Sequence, residues 1–474
     1  MTRDKLRAAA RNVEKYFESF RSVFGRRETQ GHAKVYLRGL LSSTRRKTCE
    51  AIAMRFSETK GGRPCAEKEV IAMQSFITQG KWQAGEAMRR VQAAAAEELL
   101  PSCDRWPIGL VGVLDESGFE KSGTESVGVA RQYCGRLGKV ENCQVGVFLV
   151  GVTPDGTCPL DQQLFLPEEW IKDKGRRRTT RVPKEITYQS KPQIAAEMIR
   201  RTREAGQVQF DWIAGDALYG DSGPLRAALE AADQRYVLAV RSGLTAWFVD
   251  PGDRTTVILG TKGRKKHGAW RHPHCRSLKE LGKQVPADEW QSLQLREGTK
   301  GPLVYEFARL RVWIPKDKAR SQPGWAVFRR SVDKPEEIAY YLSNADEDAT
   351  LDELALVIST RWRVEEYFED AKKHLGMADY ETRAWTSWHH HMALVALAHF
   401  IVTLTRRDVK DDIPDFTLHM AVQVLQSAFT RDSCTEDDAF SLIEYQLRRN
   451  RAAHKSHRKS WLRKHKRIKA KTLL

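Results

Sequence analysis

Two short apolar runs, each ending in an aspartate, constrain this chain more than any other feature. IGLVGVLDES (108–117) reads as a buried strand with Asp115 at its C-terminal edge. VQFDWIAGDALYG (208–220) reads as a strand through Trp212, Ile213 and Ala214, followed by Asp216 in a glycine-rich turn. CQVGVFLVGVTPDG and RYVLAV add strands, and Pro192–Glu204 and Pro224–Ala232 read as helices among them. This order predicts an α/β layer fold on a mixed sheet, in which strand ends meet along one edge. One aspartate at a strand end is ordinary turn or cap chemistry. Two on converging strands, joined by a third carboxylate, make a set of hard oxygen donors for divalent metal.

The third carboxylate comes from ISTRWRVEEYFEDAKK (358–373), which reads as part of one helix over Asp352–Lys373 with an apolar stripe at Trp362, Phe368 and Leu375. At about 100° per residue, Arg361, Glu365 and Lys372 fall within an arc of about 40°. A carboxylate flanked by cations suits a site that holds a metal ion beside a phosphate backbone. A surface helix with solvated ion pairs has the same pattern. Glu366, Glu369 and Asp370 crowd Glu365 and compete for its role.

The 474 residues carry a net charge of +18. Arg448 to the end holds twelve Lys/Arg and no Asp/Glu, so the remainder carries only +6. A polyanionic partner follows, with nucleic acid ahead of anionic lipid because no amphipathic apolar face accompanies the charge. No apolar run approaches the ~20 residues of a membrane span, and the N-terminus lacks the apolar block of a secretory signal. Eight scattered cysteines without a CxxC pair fit reduced thiols in the cytoplasm.

Six segments are expected. Residues 1–103 read as a helical DNA-binding domain, with Arg45, Arg46 and Lys47 among its cations, although any helical bundle has the same periodicity. Residues 104–243 and 347–408 read as two parts of one catalytic core, separated by a β-rich insertion at 244–346 that includes TTVILG. Residues 409–447 form a helical region, and 448–474 a basic tail with too little apolar content to fold without its partner. The loop KDKGRRRTTR, with Arg176, Arg177 and Arg178, is a candidate phosphate contact. His267, His272, His274 and Cys275 fit a DNA-contacting loop better than zinc, and His389–His391 a solvated helix start.

Three of these segments resemble bacterial insertion-sequence transposases of the DDE type. LDESGFEKSG, with VGVARQYCGRLGKVENCQVGVFL behind it, resembles the first-aspartate region, IAGDALYGD the second, and RWRVEEYFEDAKKHLG the last motif. The resemblance implies an RNase H-like (retroviral-integrase-type) core interrupted by a β-strand domain. Asp115, Asp216 and Glu365 would be the catalytic triad holding two Mg²⁺ ions, with Mn²⁺ able to substitute. Arg361, Lys372, Arg363 and Lys373 would contact the phosphates of the DNA ends. The gaps of 101 residues from Asp115 to Asp216 and 149 from Asp216 to Glu365 accommodate an insertion before the glutamate. Two departures stand out: Ile358 occupies the place of a usual tyrosine, and Tyr340 and Tyr341, with Trp325 upstream, replace the tryptophan on which hairpin-forming relatives stack a flipped base. The implied activity is cleavage at terminal inverted repeats by metal-activated water, then joining of the 3′ hydroxyl to target DNA. It calls for double-stranded DNA, a homodimer on paired ends, no membrane, and a cytoplasmic, nucleoid-associated setting. A nuclease of the same fold, or a transposase-derived DNA-binding protein without catalysis, are the rival readings.

Overall fold

The computed structural model describes residues 15–56, 67–250, 275–298, 301–316, 319–410, 413, 415–429, 436–464 and 471–472. TTVILG and the three histidines at 267, 272 and 274 lie outside them. In chain order the helices α1 (Arg27–Leu41), α2 (Cys49–Phe56), α3 (Glu67–Gln79) and α4 (Ala84–Glu98) come first. Strands β1 (Val111–Glu120), β2 (Ala130–Cys134), β3 (Lys139–Thr153) and β4 (Gly156–Leu164) follow, then α5 (Lys174–Thr179) and α6 (Lys191–Glu204). Next stand β5 (Trp212–Gly215), α7 (Ala217–Gly220), α8 (Gly223–Ala231), β6 (Tyr236–Val240), β7 (Thr245–Trp247), β8 (Cys275–Ser277) and α9 (Leu278–Gln284). The chain continues with β9 (Gln291–Gly298), β10 (Gly301–Lys316), β11 (Ala319–Ser331) and β12 (Ile338–Ser343). It closes with α10 (Leu351–Thr360), α11 (Trp362–His374), α12 (Trp385–Lys410), α13 (Leu418–Phe429) and α14 (Glu436–Lys464).

The chain divides into two compact units, one of residues 1–106, 115–209 and 362–452, the other of 107–114, 210–361 and 453–474. In the second unit, Val111–Leu114 of β1 pairs in parallel with β5, and β5 with β6. The helices α7 and α8 supply the crossover that parallel strands require. β12, β11, β10 and β9 continue the sheet antiparallel, so it is mixed, as the order of strands and helices predicts. Residues expected to be β-rich therefore form hairpins, and α9 packs Leu278 and Leu281 against Phe328 and Leu342 of β11 and β12.

In the first unit, β3 pairs antiparallel with β2 and β4. Its core is α12, buried on nearly every side. The N-terminal helices, expected as a domain of their own, are packed onto it. Tyr36 of α1 bonds its hydroxyl to His391 Nδ1 at 2.9 Å, and His391 Nε2 lies 3.1 Å from Gly376 O. His390 stacks on Trp82, rings 3.8 Å apart, with its two nitrogens 2.9 and 2.8 Å from the carbonyls of Ile77 and Trp82. Two carbonyls facing two ring nitrogens are both satisfied only by the doubly protonated ring. Burial pulls the pKa of His390 down while the two carbonyls push it back up.

Two expectations are corrected here. His390 and His391 are 1% and 0% exposed, not a solvated helix start, because α1, α3 and the turn before α12 supply their partners. The basic tail is not without structure: α14 runs helical to Lys464, favoured by its run of Arg, Lys, Ala, Leu and Gln, and Arg451 pairs with Asp415 at 2.8 Å. No helix among the described residues is long and apolar enough to cross a membrane.

Burial lowers the pKa of His389 and His391 to about 4 and of His399 to about 3. Their folded values lie below the usual 6.5, so the stability they contribute is present above about pH 6.5 and lost as pH falls toward 4. Thermal melts are expected to hold level from pH 8 to 7 and to fall steadily below 6.5; a level profile down to pH 5 would contradict this.

Candidate active site

Asp115 sits where the buried segment Val111–Leu114 gives way to a half-buried pair, Asp115 and Glu116. Its Oδ1 accepts the Glu116 N–H at 2.7 Å. Side chains alternate along a strand, so Asp115, Ser117 and Phe119 share one face and Glu116 takes the other. There Glu116 pairs with Lys191, in the first turn of α6, at 2.8 Å with both side chains under a fifth exposed.

Asp216 is the N-cap of α7, accepting the Leu218 N–H at 2.9 Å, so the cap reading and the site reading describe the same side chain. Leu114 and Gly215 are register partners; Asp216 follows the end of β5, whereas Asp115 follows Leu114 in the middle of β1, which runs on to Glu120, and not at the C-terminal edge expected of it. The glycines of IAGDALYG have steric reasons. A Cβ on Gly220 would stand 1.8 Å from Ala239 O, and Gly220 O accepts from Arg226.

The helix expected over 352–373 is two helices. The chain turns at Arg361, whose N–H bonds to Ile358 O at 3.4 Å, and α11 begins at Trp362. Val364, Tyr367, Phe368 and Ala371 form its buried side, and Tyr367 and Phe368 pack edge-on against Phe148 of β3. At about 1.5–3 kcal/mol per large apolar side chain, this face outweighs the exposed Lys373–Glu369 pair, worth 0–1 kcal/mol at most.

Glu365 is exposed. Lys372, seven residues on and therefore within about 20° around the helix, donates from Nζ to Gly118 O at 2.9 Å and lies 5.0 Å from the Phe119 ring. The side of α11 that carries Glu365 thus makes contact with β1, through Lys372 at Gly118 and Phe119. Glu366 pairs with Arg363 at 3.4 Å, Glu369 pairs with Lys373, and burial beside Glu366 and Glu369 pushes the Asp370 carboxyl up to about 7.

The other expected contacts separate into two groups. Arg45, Arg178 and Lys373 are exposed, and Arg46 is exposed while paired with Glu381 at 2.9 Å. Lys47 is not available to DNA. It is 2% exposed, its Nζ donates to Ser42 O, and burial brings its pKa to about 8. Arg177 donates to the carbonyls of Pro183 and Ile186, and Arg176 lies 3.7 Å over the Trp170 ring while donating to Thr124 O. Arg363 is half-buried beside Glu366, and burial draws its pKa down. Tyr341 is buried in β12, and Tyr340 meets Phe328 edge-on at 6.0 Å. Trp325 is buried too, with Arg309 and Arg311 at 3.9 and 4.9 Å from its ring and its Nε1 donating to Asp346 O. Cys275 is buried in β8. Lys191 went unnoticed in the sequence, since only the fold brings it to a partner 75 positions away.

Carboxylates of this kind suit a hard divalent ion in donor chemistry. Among the described residues, however, no three His, Cys, Asp or Glu side chains are gathered closely enough to hold one. Gly220→Ala is expected to destabilise the turn after Asp216 by about 1–3 kcal/mol through overpacking. Denaturant unfolding measures this, and an unchanged midpoint would show that the turn tolerates a Cβ.

Residues 19–302 match the family described as DDE superfamily endonuclease, a span that takes in Asp115 and Asp216 and ends before Glu365. The chain is also 28% identical, over 233 residues, to the probable transposase for insertion sequence element IS701 of Microchaete diplosiphon. That alignment covers 48% of this chain and 54% of the relative, so the chain spans about half the length of the curated protein it matches. With more than half of its residues matched, the chain belongs to the DDE superfamily endonucleases.

Proposed function

We propose that this chain is a DNA transposase with an RNase H-like core, cutting at the terminal inverted repeats of an insertion sequence and joining the freed 3′ hydroxyl to target DNA. The observation that carries the reading is the placing of Asp115 and Asp216 directly after a register pair of adjacent parallel strands. The contact of Lys372, on the same side of α11 as Glu365, with Gly118 of β1 supports it. In this reading residues 244–346 are the insertion that separates Asp216 from Glu365, and the likeness to an insertion-sequence transposase favours strand transfer over cleavage alone.

Asp115, Asp216 and Glu365 would hold divalent ions, two Mg²⁺ or Mn²⁺ in their place. Bound there, such ions supply activation of the attacking water or hydroxyl and stabilisation of the leaving oxygen. The chain's own contribution is positioning. The cap at Leu218 fixes the Asp216 carboxylate, the Glu116–Lys191 pair anchors β1 on the face opposite Asp115, and Lys372 ties the Glu365 face to β1. Arg361 and Lys372 would add the positive charge that draws a phosphodiester to these carboxylates. Two ends must be processed together, so a homodimer on paired DNA ends is the expected assembly.

A labelled duplex carrying the element's end tests the proposal with wild type, Asp115→Asn, Asp216→Asn and Glu365→Gln in Mg²⁺ or Mn²⁺. Wild type is expected to cut at the end, and each variant to bind the duplex but fall to background cleavage. Cutting that survives in Glu365→Gln would assign the third position elsewhere. Binding without cutting by the wild type would favour a DNA-binding protein, and cutting without joining a nuclease.

A further inference from the structure

The turn at residues 376–385 draws together basic segments that are far apart in the chain, all within the first unit. Asp379 accepts the Lys47 N–H at 2.9 Å, and Glu381 pairs with Arg46 at 2.9 Å. Tyr380 O accepts from Lys121 Nζ at 3.0 Å, and Arg383 O from the Val127 N–H at 2.9 Å. Trp385 donates its N–H to Thr180 O at 2.8 Å, and Arg176 closes the circuit through Thr124 O at 2.7 Å. The result brings exposed Arg45 and Arg46 of the α1–α2 loop, Arg178 and Arg181 at the end of α5, and Arg383 around one turn. The carboxylates in that turn are engaged, Asp379 by the Lys47 amide and Glu381 by Arg46.

Arg181 carries a second observation. α5 ends in a Schellman turn, with the Val182 N–H on Arg177 O at 2.9 Å and the Arg181 N–H on Arg178 O at 3.2 Å. Arg181 therefore sits at the position that glycine fills with least strain, at φ +55°. Its guanidinium makes a long contact, 3.4 Å to Thr78 O, on the exposed surface, too weak to explain an arginine there.

We infer that Arg45, Arg178, Arg181 and Arg383 form one face that grips the phosphate backbone of duplex DNA independently of sequence, with Arg46 offsetting the charge of Glu381 beside them and Arg181 held in a strained turn for that contact. Guanidinium forks on loops and a helix end match phosphate geometry and carry no base readout. Arg176, Arg177 and Lys47 belong to the scaffold that presents this face. The inference rests on the reading of the chain as a DNA-processing protein, yet it concerns binding alone.

Fluorescence anisotropy on the full chain, with a duplex of arbitrary sequence and one carrying the element's end over a series of KCl concentrations, tests it. Arg181→Gly is expected to raise Tm, weaken binding several-fold on both duplexes alike, and lower the slope of log K against log salt by about one. Arg181→Lys should keep most of the affinity, and Arg383→Ala should lose affinity on both duplexes with Tm unchanged. Wild-type affinity and slope in Arg181→Gly, a Tm that does not rise, or a loss confined to the element's end would overturn the inference while leaving the transposase reading intact. A wild-type chain that binds neither duplex would overturn both.

Discussion

The parallel pairing of β1 with β5 is the constraint on which the rest depends. Side chains alternate along a strand, so a slip of one residue would turn Asp115 to the face now held by Glu116 and Lys191. Burial favours this register: Val111–Leu114 and Trp212–Gly215 are buried throughout.

Buried polar groups organise the first unit around α12. Each of His390 and His391 reaches backbone or hydroxyl groups of the N-terminal helices, and Lys47 sits with its ammonium on Ser42 O. Such groups cost free energy unless satisfied, so each fixes its partners' positions more narrowly than apolar packing alone. The turn of residues 376–385 rests on this polar scaffold through Gly376 O at His391 and Asp379 at the Lys47 amide.

Much of this was legible in the chain. An apolar run that stops at an acid is visible without alignment, and the strand before Asp216, the crossover helices and the β-rich stretch before residue 344 stand where periodicity placed them, whereas β1 runs on past Asp115 to Glu120 because Ser117, Gly118 and Phe119 are buried as well. What escaped is what depends on contacts remote in sequence. Lys47 looks like its neighbours Arg45 and Arg46 until Asp379 and Gly376 close over it. The three arginines at 176–178 look alike as well, yet two are consumed by local carbonyls and an indole ring. The histidines at 390 and 391 read as polar because Tyr36, Ile77 and Trp82, which bury them, lie more than 300 residues upstream. The turn at Arg361 breaks a pattern of good helix formers, and propensity gives no warning of it.

Anomalous diffraction from crystals of the DNA complex grown with Mn²⁺ distinguishes whether Asp115, Asp216 and Glu365 act on one metal centre. The expected result is an anomalous peak bounded by carboxylate oxygens of all three residues and by a phosphate of the DNA. A peak held by Glu366, Glu369 or Asp370 in place of Glu365, or by neither aspartate, would contradict it.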